Sequence, residues 1–68
     1  MNYTQKEIDM LKNAHIYEEV EIKKYEKYLE EINDAEIKKA LKQIITIDKD
    51  HLNLINTMLK QAGEFSPD

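Results

Sequence analysis

From Thr4 to Ala62 the chain contains neither glycine nor proline, and its apolar residues recur at alternating spacings of three and four. That combination dictates helix, because nothing interrupts a helical backbone and the spacing lines one helical face. The pattern breaks once, at "IND", where Asn33 and Asp34 are both good N-cap residues and Glu36 is placed to meet the positive end of a new helix. It begins at "TQKE", a capping box in which Thr4 accepts from the Glu7 backbone and Glu7 reaches back, with Tyr3 stapled onto Ile8. It ends at Gly63, which suits a left-handed C-cap. The spacing predicts helices over residues 5–32 and 35–62, each roughly 40 Å long at 1.5 Å per residue. A turn at 33–34 joins them and a short tail, 63–68, follows. The fold class is all-α: a single domain over 1–68, folded as an antiparallel two-helix hairpin.

So tight a turn fixes the register. The seam of the first helix runs through Ile8, Leu11, His15, Glu18, Ile22, Tyr25, Leu29 and Ile32, and that of the second through Ile37, Leu41, Ile44, Asp48, His51, Ile55, Met58 and Ala62. Residues equidistant from the turn should face each other, which pairs Ile32 with Ile37, Tyr25 with Ile44 and Leu11 with Met58. The same register sets Glu18 opposite His51 and Glu21 opposite Asp48, with His15 one turn further on. The polar residues of both seams thus fall at one level. The second helix is also apolar on both flanks, through Ala40, Ile47 and Leu54 on one side and Ile45, Leu52 and Leu59 on the other. One partner helix cannot cover that width, so a second hairpin is expected to complete a four-helix bundle as a homodimer or a multiple of one, with the Ile45, Leu52 and Leu59 flank as the patch a lone hairpin would expose.

Composition removes other readings. At 68 residues the chain is short of core, and without cysteine it has no disulfide or thiolate zinc site to compensate. Net charge is −4 and every basic residue is lysine, so the planar fork that reads phosphate and guanine is missing and nucleic acid is not an expected partner. No signal peptide and no apolar run of bilayer length is legible, which makes a cytoplasmic location the expectation and a membrane partner not one. No glycine-rich phosphate loop, nucleophile elbow or zinc-protease motif occurs.

The polar layer is where chemistry can reside. A carboxylate facing inward is costly unless paired or bound to a cation, and a divalent metal is one such partner for Glu18 and Asp48. Asp48 and His51 project from one helical face, so both can ligate a single ion while Glu18 arrives from the facing helix; Glu21 and His15 are further candidate ligands. A dimer would double the set into the inventory of carboxylate-bridged di-iron or di-manganese sites in bundles.

"EEVEIKKYEKYLEEINDAEIKKAL" followed by "IDKDH" resembles the ferritin-like superfamily, especially its short two-helix members, the encapsulated ferritins and rubrerythrin-like half bundles. The resemblance covers Leu11 to Lys60. It implies a ferritin-like bundle, a helix-one metal ligand at Glu18, a helix-two pair at Asp48 and His51, and an aromatic residue near the site at Tyr25. It further implies iron as cofactor, with manganese or zinc as other divalent candidates, and ferroxidase-type or iron and oxygen handling. Two departures matter. The family's second-helix Glu is Asp48 here, one methylene shorter, and "GEFSPD" is too short and polar to resemble a shell-docking tail. The other reading is a non-catalytic structural or interaction bundle, similar to spore-coat proteins with ferritin-like helices, in which the polar layer only sets register.

Overall fold

The structure is a computed structural model and describes residues 3–64. Two helices, α1 (Gln5–Glu31) and α2 (Ala35–Gln61), pack against each other as an antiparallel hairpin. The capping box forms as the sequence predicts: Thr4 Oγ1 accepts from the Glu7 backbone at 3.1 Å, and Glu7 Oε1 accepts from the Thr4 backbone at 2.8 Å. Ile32 ends α1 in extended backbone while its N–H donates to the Tyr28 carbonyl. The reversal therefore occupies Ile32 to Asp34, one residue more than the expected turn.

Asp34 then caps α2, its Oδ1 accepting from the backbone of Glu36 at 2.9 Å and Ile37 at 3.0 Å. Those two donors would otherwise be orphaned at a helix start. Replacing Asp34 with alanine is expected to cost about 1 kcal/mol, read as a lowered denaturation midpoint; an unchanged midpoint would remove the cap from the account of the turn. At the other end Gly63 adopts φ +74. Its N–H donates to the Lys60 carbonyl and that of Glu64 to the Leu59 carbonyl, the paired closure that requires a left-handed residue. Of the tail, Gly63 and Glu64 are placed this way, and the expected stretch 65–68 lies outside the described residues.

The core is small: Ile8 and Ile22 from α1 meet Leu41, Ile45 and Leu59 from α2. Around it Leu11, His15, Glu18, Tyr25, Leu29 and Ile32 are half-buried, so the α1 seam lies where its spacing placed it. The α2 seam does so only in part: Leu41 is buried and Asp48, Ile55, Met58 and Ala62 are half-buried. Ile45 and Leu59 are buried at 7% and 1% exposure and Leu52 is half-buried, while Ile37 and Ile44 stand 48% and 38% exposed and His51 is exposed. The helix is rotated toward the flank that the sequence reading had left outside, so that flank is not the exposed patch. The rotation buries three branched side chains, Ile45, Leu52 and Leu59, and carries the imidazole of His51 toward water, where its desolvation cost is smaller.

Rotation leaves the hairpin with two unlike sides. One is charged: Lys12 of α1 pairs with Glu64 just past the end of α2 at 2.9 Å, Lys49 bridges to Glu26 across the helices at 3.9 Å, and His15 meets Glu19 within α1 at 3.2 Å. The other is more apolar, with Met10, Tyr17 and Tyr28 of α1 and Ile37 and Ile44 of α2 exposed along facing edges; Ile47 and Leu54 are exposed further round α2, and Ile16 and Val20 on α1 away from this edge. Met10, Ala14 and Met58 already share the walls of a groove there. No helix is long and apolar enough to cross a membrane.

Candidate metal centre

Glu18 is the middle residue of α1 and Asp48 the middle residue of α2, with thirteen helical residues on either side of each. One turn beyond Asp48, His51 projects from the same face. Ligand atoms of these three side chains lie within 4.8 Å of one another, and they form the one such group among the described residues. Glu18 Oε1 stands 3.6 Å from His51 Nδ1, which realises the expected pairing across the hairpin but is too long for a hydrogen bond.

Burial grades across the group. Glu18 has a side-chain exposure of 19%, Asp48 is half-buried, and His51 at 56% forms the open edge toward the apolar side. The second carboxylate oxygen, Glu18 Oε2, is fully buried and has no hydrogen-bond partner among the described residues. An unpartnered buried carboxylate oxygen is destabilising by several kcal/mol in general, so such atoms are rarely left without a purpose. Two carboxylates and an imidazole from two helices match the donor preferences of iron, manganese and zinc. Bonds of about 2.1 Å set ligand atoms roughly 3–4 Å apart, so small rotamer changes close the observed spacing. The residues fit a divalent metal.

Of the other expected ligands, neither joins the group. Glu21 is half-buried one turn along α1 and pairs with Lys24, whose Nζ lies 3.1 Å from its Oε1. That hydrogen bond, the largest influence, raises the Lys24 pKa above its ordinary value against an opposing desolvation, with the charges of Glu21, Tyr25 and Tyr28 adding to it. His15 is engaged with Glu19 on the charged side. Tyr25 lies in the seam, edge-on to Tyr28 at 5.9 Å between ring centres, with Lys24 Nζ 5.1 Å above its ring.

Two features were not read from the sequence. Lys24 belongs to a run of alternating charges that looks like a solvated face, and only its spacing of three from Glu21 signalled a specific partner. Asn56 is half-buried with its Oδ1 unpartnered among the described residues; it lay unnoticed beside Ile55 because the seam was drawn one residue away. A surface depression of about 720 Å³ runs along the outer face of α2 past Lys38, Lys39 and Lys42 and includes none of the three candidate ligands. Compared with known proteins, the chain matches no protein-family profile, no curated protein and no solved structure.

Proposed function

We propose that the chain is a ferritin-like metal-binding protein whose hairpin dimerises into a four-helix bundle and holds a divalent metal, iron foremost, between the hairpins. The observation that carries this reading is the buried, unpartnered Oε2 of Glu18 within reach of Asp48 and His51. In it Glu18 holds the ion from α1, while Asp48 and His51 clamp it from α2. Asp48, a methylene shorter than the glutamate of the resembling family, serves as a terminal ligand. Bound iron would supply one-electron redox chemistry, which makes ferroxidase-type oxygen or iron handling the activity to assay.

A second copy is supported by the unlike sides of the hairpin. The chain exposes 5307 Å², roughly 800 Å² more than size scaling gives for a compact monomer of its mass, and about 800 Å² per partner is what a standard interface covers. The apolar side is also the side on which His51 opens. Docked there, a second hairpin would cover Ile44, Ile47 and Leu54 and exclude water from both sets of ligands.

The non-catalytic reading has one observation in its favour: the approach of Glu18 to His51 is an inter-helix pair in its own right, and such pairs can fix register. Elemental analysis of chelator-free protein, together with sedimentation, separates the two. A dimer carrying about one iron per chain supports the metal site. A dimer that takes up no metal after anaerobic ferrous loading would leave the layer as a register device.

A further inference from the structure

Among the described residues three acidic residues are half-buried: Glu18, Asp48 and Glu21. The first two form the candidate site with His51. The third lies on the same side of α1, one turn away, where side chains three apart are neighbours. It is not one of that group, and its partner is a lysine one turn further along α1. Lys24 donates to Glu21 at 3.1 Å, and its ammonium sits 5.1 Å above the ring of Tyr25, a seam residue that fixes where the lysine can point. Three ligands from one hairpin leave positions open on a first-row metal, which water, the second hairpin or a further carboxylate can fill, and the next half-buried carboxylate is held by a cation.

We propose that Lys24 is a built-in competitor for the metal: its ammonium holds Glu21 in the metal-free protein, and a divalent cation entering at Glu18, Asp48 and His51 displaces it and recruits Glu21 as a fourth ligand. This rests on the metal-site reading above. Lys24 is a positioning residue, acting through Glu21 and never touching the ion. The exchange is a swap of ion pairs, ammonium for metal, with no change of oxidation state. Its consequence is a threshold: the site fills only when metal is abundant enough to outcompete an intramolecular partner, so the lysine sets affinity without contributing a ligand.

The test is calorimetric titration of the full chain with Mn²⁺, which is stable in air, at one pH and low salt. The variants are Lys24→Gln, Glu21→Gln, the two combined, and Lys23→Gln as a control that removes the same charge from the neighbouring position. Lys24→Gln is expected to tighten Mn²⁺ binding about twofold, the worth of an exposed helical ion pair, and Glu21→Gln to weaken it about tenfold; in the combined variant the gain from Lys24→Gln should vanish. Lys23→Gln should behave like the parent. Equal tightening by Lys24→Gln with and without Glu21, or by Lys23→Gln, would reduce the effect to through-space charge and overturn the proposal. Unchanged affinity in Lys24→Gln, with the parent binding Mn²⁺ normally, would overturn it while leaving the metal site standing. A parent chain that binds no Mn²⁺ overturns both.

Discussion

Replacing Asp48 and His51 together with leucine is expected to abolish stoichiometric metal binding and to leave the metal-free protein at least as stable as the parent. The reason is that the two properties draw on the layer in opposite ways. Without metal, the half-buried carboxylates of Glu18 and Asp48 lose hydration and repel, and the nearest imidazole stands too far from Glu18 to hydrogen bond. Leucine in place of Asp48 removes one of those charges and adds apolar area to the seam, while leucine in place of His51 adds to the exposed apolar side. Adding Glu18→Leu removes the remaining charge, and apolar replacement of such buried ionic groups commonly yields about 1–4 kcal/mol. Metal content by elemental analysis and denaturation in chelator, measured on the same preparations, check both halves. A double variant that shifts to another oligomeric state, with no metal phenotype to lose, would assign the layer to register instead.

Leu59→Ala is expected to remove roughly 3 kcal/mol, a large part of what a chain of 68 residues can hold at about 0.05–0.15 kcal/mol per residue. Leu59 is the most completely buried large side chain of the described residues, at 1% exposure, so truncating it removes the densest contact of the seam. Leu54, five positions earlier in the same helix, stands 60% exposed on the apolar side, and Leu54→Glu should give a different result. The hairpin keeps its helical content, but association is lost, together with the concentration dependence of unfolding that a folded dimer shows. Circular dichroism and sedimentation distinguish the two leucines. Were Leu59→Ala tolerated and Leu54→Glu unfolded, the rotation of α2 described above would be wrong.

That rotation marks where the sequence stops being legible. The caps at Thr4, Asp34 and Gly63, and with them the helix ends, are local: each depends on a few adjacent residues whose hydrogen bonds form within the helix terminus itself. The seam of α1 was also readable, because Lys12, Glu19, Lys23 and Glu26 bound its apolar stripe on one side. Along α2 apolar residues occupy too wide an arc. Ile44 and Ile45 are chemically the same, and periodicity cannot say which of them meets α1; shape complementarity across the seam decides, and that is a property of both helices together.

The candidate site survived the rotation because Asp48 lies close to the seam under either assignment and His51 is long enough to reach back toward Glu18. Glu21, expected opposite Asp48, lies outside the group and pairs with Lys24. Its engagement by Lys24 was hidden because one lysine in a run of mixed charge carries no mark of a specific partner in the sequence.

The central position of Glu18 and Asp48 has a consequence for ancestry and engineering. A site displaced toward one end of a hairpin commits its partner to one direction of approach, since reversing the partner would carry the second half of the site away along the bundle. With thirteen helical residues on each side of both candidate ligands, reversal would change nothing at this level in the proposed bundle: a copy docked turn beside turn and a copy docked head to tail would both bring those residues to the same height. Direction is left to the ends of the apolar side, Tyr28 and Ile37 near the turn and Met10 and Met58 away from it. Changes there can invert the topology of the bundle, or duplication can fuse two hairpins through a loop at either end, while the ligand layer stays assembled.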